Sequence, residues 1–396
     1  LYYGGNIVKK ILAVLSVLIL ASGLLFAGGQ SEEVESVKIG FIGPMTGDAA
    51  NYGKLMSQAV RLAAEERNAA GGVEGLTVDV IVEDSEGVPE KGQAAIEKLA
   101  SVDKVDAIVG PVFSGVGMTI APRAQAEQIV MISPSTTHAE FPLFGDYIFR
   151  TTPSDGLQAE VSGAYFANDL GIKRMAVLYV KNDYSQGLYE AMAKVYEANG
   201  GEIVAVESAL QGDKDFKTQL TSIRAENPEA IYIPNYVAEM AQILEQASNL
   251  GIEATFLSAD GFTNPEIFDL AGEFTNGVIY TGPVEAEATA AASEFASDYS
   301  AKWGVEPDSF SKNAYDGASI IMDAAAKVYK ETGALAPEDL KAEVAATQGY
   351  EGVSGIVSFA ADGNLIAQIG VYEVRDMKPV QIGVYTVDAG ELVKIK

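Results

Sequence analysis

The chain has 396 residues, 48% of them hydrophobic, with 55 acidic side chains against 27 basic ones, no cysteine and one histidine, His138. A net charge of −28 disfavours phosphate backbones and anionic membrane surfaces as partners. Thiolate metal sites, iron–sulfur clusters, disulfides and multi-histidine centres are excluded by composition, so neither metal nor cofactor is expected.

In chain order, Lys9 and Lys10 precede an apolar run, Ile11 to Ala27, and a small-residue exit at Gly28-Gly29-Gln30. This pattern predicts a cleaved secretory signal over 1–29, with Ala27 and Gly29 at −3 and −1. A membrane anchor is the competing reading. The run is shorter than the ~20 residues a span needs, and no basic stop-transfer flank follows it. Without a cysteine after the run there is no lipid attachment, and a freely diffusing periplasmic protein is expected. Residues 1–7 precede the basic pair, and Gly4-Gly5 reads as an in-frame ribosome-binding site with translation starting at Val8. A precursor peptide spanning Tyr2–Lys9 would refute that start.

From Val37 onward, short β-branched runs alternate with helical patterns. Strands are expected at Val37–Gly43, Leu76–Glu83, Ala107–Gly110, Val130–Ser133, Met175–Val180, Glu202–Val206, Ala230–Pro234 and Thr255–Ser258. Their near-continuous apolar character predicts parallel strands covered on both faces. Helices are expected between them, including Tyr52–Ala70, Pro89–Ala100 and Tyr236–Leu250, the last closed by Gly251. Helices then follow one another at Ala288–Trp303, Lys312–Tyr329 and Pro337–Ala346. Short strands end the chain near Ile356–Phe359, Ala367–Val374, Gln381–Tyr385 and Leu392–Ile395. The class is α/β, two doubly wound parallel sheets, with 37–150 and 155–280 reading as one architecture used twice.

In such sheets ligands bind beyond the carboxyl ends of strands, and four loops there are polar or glycine-rich. They are Gly43 to Gly53, Gly110 to Gly115, Ser133 to His138 and Ser258 to Asn264. Ser114 is expected at the N-cap of a helix over Gly115–Glu127, where free N–H groups and a hydroxyl suit a carboxylate or serve simple capping. Ser135, Thr136 and Thr137 offer hydroxyl and carbonyl groups, or form a hydrated turn. Asp260 either balances an ammonium or caps a helix over Thr263–Leu270. His138 stands on the same rim, where a lone loop histidine is ordinarily solvated. Nucleotide signatures fail: Val116 stands where a phosphate loop needs lysine, and Ile120 where the dinucleotide fingerprint needs glycine.

The ordered motifs Lys38-Ile-Gly-Phe-Ile-Gly-Pro-Met-Thr-Gly47, Gly72-Val-Glu-Gly75, Val109-Gly-Pro111, Ile132-Ser-Pro-Ser-Thr-Thr137, Asp183-Tyr-Ser-Gln-Gly187, Asp213-Lys-Asp-Phe216 and Asn313-Ala-Tyr-Asp316 carry a resemblance. The chain resembles the periplasmic leucine/isoleucine/valine-binding proteins, substrate-binding components of branched-chain amino-acid ABC importers. The resemblance implies a type I periplasmic binding fold, two lobes joined by a three-segment hinge. It places lobe one at 36–153 with 284–356 and lobe two at 154–283 with 357–396. Crossings would fall near Thr151–Ser154, Thr281–Glu285 and Ser354–Ala360. It implies that Ser114 takes a ligand carboxylate, that Thr136 and Thr137 meet both charged groups, and that Asp260 pairs with the ammonium. Family members often carry glutamate at the Asp260 position. Tyr52, Tyr184 and Tyr236 match aromatic positions around the ligand, and Tyr315 is a further candidate.

The expected function is capture of an L-amino acid zwitterion, branched-chain or otherwise apolar, by a monomer that delivers it to an ABC permease. The alternatives are a sensor of the same fold for an amide or other small molecule, reporting to a receptor, and a periplasmic enzyme.

Overall fold

The computed structural model describes residues 36–285 and 289–396. The signal segment, its basic pair, the start at Val8 and the first residue of the helix expected from Ala288 lie outside the described residues.

The first sheet is built from β1 (Ser36–Gly43), β2 (Thr77–Asp84), β3 (Ala107–Val109), β4 (Val130–Ser133) and β5 (Ile148–Arg150). All are parallel, in the order β2-β1-β3-β4-β5. Strands β3, β4 and β5 are buried throughout, which is why they read as unbroken apolar runs. Helices α1 (Ala50–Ala69), α2 (Pro89–Lys98) and α3 (Ser114–Ala126) return the chain between them. Tyr52, Leu55, Met56, Ala59, Val60 and Ala63 recur at three- and four-residue spacing on α1 and are buried. Pro89 opens α2 at the one turn where its missing N–H costs nothing.

The same winding recurs. Strands β6 (Arg174–Val180), β7 (Glu202–Ala209), β8 (Ala230–Tyr232), β9 (Thr255–Ser258) and β10 (Ile279–Pro283) run parallel in the order β7-β6-β8-β9-β10. Helices α4 (Asp155–Asn168), α5 (Asp183–Ala198), α6 (Lys217–Ala225), α7 (Val237–Asn249) and α8 (Glu266–Ala271) belong to this half. Gly251 ends α7 in the left-handed region at φ +67. Each sheet changes strand direction of growth at one point, between β1 and β3 and between β6 and β8. A crevice opens there at the strand carboxyl ends.

The chain then goes back. Helices α9 (Ala290–Trp303), α10 (Ser309–Thr332) and α11 (Pro337–Ala345) follow, and α10 packs on α1, β1, β3 and β4 of the first sheet. A hairpin of β11 (Tyr350–Glu351) and β12 (Ile356–Val357) comes next. Residues 359–364 remain with the first sheet: the Phe359 N–H donates to the Thr347 carbonyl and the Arg150 N–H to that of Gly363. Only then do β13 (Ile369–Arg375), β14 (Lys378–Asp388) and β15 (Glu391–Lys394) extend the second sheet, all antiparallel, to eight strands. The second sheet is therefore mixed rather than wholly parallel, because consecutive hairpin strands have no crossover to restore direction.

Candidate functional site

Six of the eight residues singled out from sequence line one narrow pocket: Tyr52, Ser114, Ser135, Tyr184, Tyr236 and Asp260. Val112, Phe113, Gly261 and Phe310 complete its wall. Topology explains the convergence. Tyr52 follows β1, Phe113 and Ser114 follow β3, Tyr184 follows β6 and Tyr236 follows β8, the four strands flanking the two reversal points.

Ser114 is the first residue of α3, not its cap; the extended Phe113 takes the cap position and offers no side-chain hydrogen bond. The N–H groups of the first turn have no partner within the helix and share the positive end of its dipole. With the buried Ser114 hydroxyl they make an end of the pocket that suits an anion and has no cationic side chain in its lining.

The opposite wall is acidic. Asp260 opens a short 3-10 turn after β9 instead of capping the helix beyond it, which begins only at Glu266. Its Oδ1 accepts from Gln158 Nε2 at 2.8 Å and from the Tyr184 hydroxyl at 2.8 Å. Burial raises the carboxyl, and the bonds from Gln158 and Tyr184 offset only part of that rise. Asp155, three residues before Gln158 on α4, is buried as well, and neither carboxylate oxygen has a hydrogen-bond partner among the described residues. Burial first and the Asp260 charge second push it well up. A cationic group entering the pocket would favour the ionised form of Asp260, which lines it.

Asn235, fully buried, holds the tyrosines in place. Its Nδ2 donates to the Leu178 carbonyl at 2.9 Å, and its Oδ1 accepts from the Val180 N–H and the Ser185 hydroxyl. The ends of β6 and β8 are thereby locked, and with them Tyr184 and Tyr236. Gly261 is needed beside it, since a Cβ there would lie 2.3 Å from the Asn235 carbonyl oxygen.

Thr136 and Thr137 stand behind the pocket wall. The Thr136 hydroxyl donates to the Pro111 carbonyl at 3.1 Å, and the Thr137 carbonyl accepts from the Asp155 N–H at 2.7 Å. Both carbonyls also accept from the buried Arg150 guanidinium, which further reaches those of His138 and Ala139. Burial lowers Arg150 to about 10. Ser135 does reach the pocket, its hydroxyl donating to the Val112 carbonyl at 2.8 Å. His138 Nδ1 accepts from the Glu140 N–H at 3.3 Å, and the ring faces Gly187 on α5. Tyr315 lies elsewhere on α10, its hydroxyl bonded to Glu66 and its ring against Phe295. Among the described residues no group of three or more acidic or histidine side chains is arranged to hold a metal.

Sequence reasoning passed over Phe113 and Phe310. Phe113 sits immediately before Ser114 in a glycine- and proline-bounded loop, which is a usable signal; Phe310 arrives on α10 from far along the chain and leaves none.

Comparison with known proteins gives a consistent result. A family model described as periplasmic binding protein matches residues 36–378. A leucine-, isoleucine-, valine-, threonine- and alanine-binding protein of Pseudomonas aeruginosa is 29% identical over 358 residues, covering 90% of this chain and 94% of that protein. The leucine binding protein LivK of Thermotoga maritima superposes with a TM-score of 0.80 at 29% identity, over 88% of this chain and 98% of that one. The branched-chain amino acid transporter substrate binding protein LivJ of Streptococcus pneumoniae, in complex with isoleucine, gives 0.80 at 30% identity, over 91% and 99%.

Proposed function

Since the chain belongs to the periplasmic binding protein family, we propose that it is the extracytoplasmic substrate-binding component of an ABC importer, capturing an apolar L-amino acid. The observation that carries this reading is the division of the pocket. Its carboxylate-binding end, Ser114 and the start of α3, belongs to the first sheet, and its acidic end, Asp260, to the second. Apolar and aromatic side chains lie between them, matching an aliphatic chain attached to a zwitterion. At 4 Å and an effective dielectric near 20, the ammonium–carboxylate attraction is about 4 kcal/mol before desolvation.

The mechanism follows. A zwitterion meets both charge partners only when the sheets stand close, so the ligand shifts a hinge equilibrium toward closure. Thr136 and Thr137 take part through the backbone of their loop. Closure then presents a defined surface to the permease. The lobe division belongs to this reading, 36–153 with 284–356 and 154–283 with 357–396; donation from the Arg150 N–H to the Gly363 carbonyl supports a last passage later than residue 356. So do export by the N-terminal segment, a periplasmic location, a monomeric state and the absence of catalysis.

Calorimetry of the exported chain against L-amino acids and small uncharged amides tests it. Binding of leucine, isoleucine or valine, with the ligand recovered chemically unchanged, is the expected result. Binding of an amide and of no amino acid overturns the zwitterion reading, and turnover of the ligand overturns the transport reading.

A further inference from the structure

We propose that His138 is a pH-sensitive latch on the rim of the cleft: the neutral imidazole lies against α5 and lets the two halves of the molecule close, and the protonated one holds them apart. This rests on the reading above, in which the halves close on a ligand, and adds the condition under which they do not.

His138 ends the polar loop after β4 of the first sheet, whereas α5 follows β6 of the second. Its Nδ1 accepts from the Glu140 N–H at 3.3 Å, which commits that lone pair and leaves the proton of the neutral ring on Nε2. The Nε2 edge is turned to α5, where a Cβ added at Gly187 would lie 3.3 Å from the ring's Cδ2 and 3.4 Å from Nε2. Asp183, one helical turn earlier, stands on the same face of α5. Its Oδ2 leans toward the first half, 3.1 Å from where a Cβ on Gly115 of α3 would be. Helices α3 and α5 thus meet across the cleft at two glycines, with His138 over one and Asp183 over the other. The chain has no other histidine, so no second imidazole shares this position.

Three charged groups face the ring: Asp183 from α5, Glu140 from its own loop and Arg150 from β5. The two acids favour the imidazolium and the guanidinium opposes it. Removal of the ring from water is the largest influence and brings His138 below its ordinary 6.5. Geometry points the same way, because a proton on Nδ1 would face the Glu140 N–H, donor against donor. Once the halves separate, the ring returns to water and these costs vanish. Closing therefore expels a proton from His138. The latch's contribution to closure is complete above 6.5, falls as pH drops through that value and levels off below the closed-state value. Were the Asp183 attraction to prevail, acid would tighten binding instead, so the sign of the effect decides between the two.

A lone histidine gives a single set of imidazole resonances, so NMR titration of the untagged exported chain reads His138 directly. It is run without ligand and saturated with the tightest binder among L-leucine, L-isoleucine and L-valine. The expected midpoint is at least about 0.5 pH lower in the complex. Affinity for the same amino acid should fall between about pH 7.5 and 5.5 at least about threefold more in wild type than in His138→Gln, which does not titrate. The Asp260 carboxyl brings a pH dependence of its own, which both proteins share and their comparison removes. A midpoint unchanged or raised by the ligand, or the same affinity profile in both proteins, overturns the proposal and leaves amino-acid capture intact. If His138→Gln folds poorly, the wild-type NMR titration decides alone. Failure of wild type to bind any of the three amino acids overturns both readings.

Discussion

The Tyr52 hydroxyl, carried on α1 over the first sheet, donates to the Gly261 carbonyl at 2.9 Å in the loop after β9 of the second. The same oxygen accepts from the Val237 N–H at 3.3 Å, at the start of α7. Asn51 beside it reaches Asn264 at 3.1 Å. One turn of one helix therefore joins the two sides of the pocket next to Asp260, and on the proposed reading these bonds support closure alongside the ligand.

Tyr52→Phe removes the two buried bonds and keeps the ring packing. At about 1 kcal/mol each, affinity should fall by roughly 5- to 30-fold. Small-angle scattering should show a more open form at subsaturating ligand. Wild-type affinity in this variant would remove Tyr52 from the closing mechanism.

On the proposed reading, Asp260 makes ligand binding proton-linked. Its carboxyl is raised by burial, with Gln158 and Tyr184 holding it back only in part. A bound ammonium favours the ionised form, so complex formation releases protons and affinity rises with pH through the raised value. Calorimetry in two buffers of different ionisation heat measures that release. Asp260→Asn should abolish it and weaken amino-acid binding by at least about 2 kcal/mol. A variant that binds like wild type would take Asp260 out of the site.

Much of this was legible in the sequence, and the gaps have physical causes. The long strands and α1, α2 and α7 declare themselves by unbroken apolar runs or helical spacing. β5 has three residues, too few for any period, and β10 ends in Pro283 and reads as a connection. Polar loops betrayed Ser114 and Asp260 because a buried turn rarely tolerates such residues without a partner. Phe113 was passed over, and its ring is packed as core. The neutral surroundings of Arg150 gave no warning that its guanidinium would be fully buried among carbonyls.

Stability should depend on pH through a buried acid remote from the pocket. Asp316 on α10 accepts from the Val353 and Ser354 N–H groups, each at 2.8 Å, pinning the loop between β11 and β12. Burial nevertheless raises it from 3.8 to about 6. A carboxyl raised on folding binds its proton more tightly in the native state, so its stabilising contribution is present below the unfolded value and lost as pH climbs through about 6. The full effect is about 3 kcal/mol. Urea unfolding at stepped pH between the two values should show the decline, and Asp316→Asn should flatten it in that window. An unaltered pH slope in the variant would count against this assignment.

Arg150 ties the loop behind the pocket to Asn364, late in the chain. Its Nη1 donates to the carbonyls of Thr136, Thr137 and His138 at 3.3, 2.7 and 2.8 Å, and its Nε to Asn364 Oδ1 at 2.8 Å. A planar fork serves these acceptors together, whereas an ammonium on a shorter reach cannot span the loop and Asn364. Arg150→Lys should therefore leave buried carbonyls unpaired and cost about 2–4 kcal/mol, because unsatisfied groups bear the full desolvation penalty. The urea midpoint should drop with an unchanged slope, marking lost native stability and not an altered denatured state. Amino-acid affinity should fall too, since the loop that presents Ser135 loses its support. A midpoint equal to wild type would show that water or a relaxed loop replaces the guanidinium at no cost, and the ordering role assigned to Arg150 would fail.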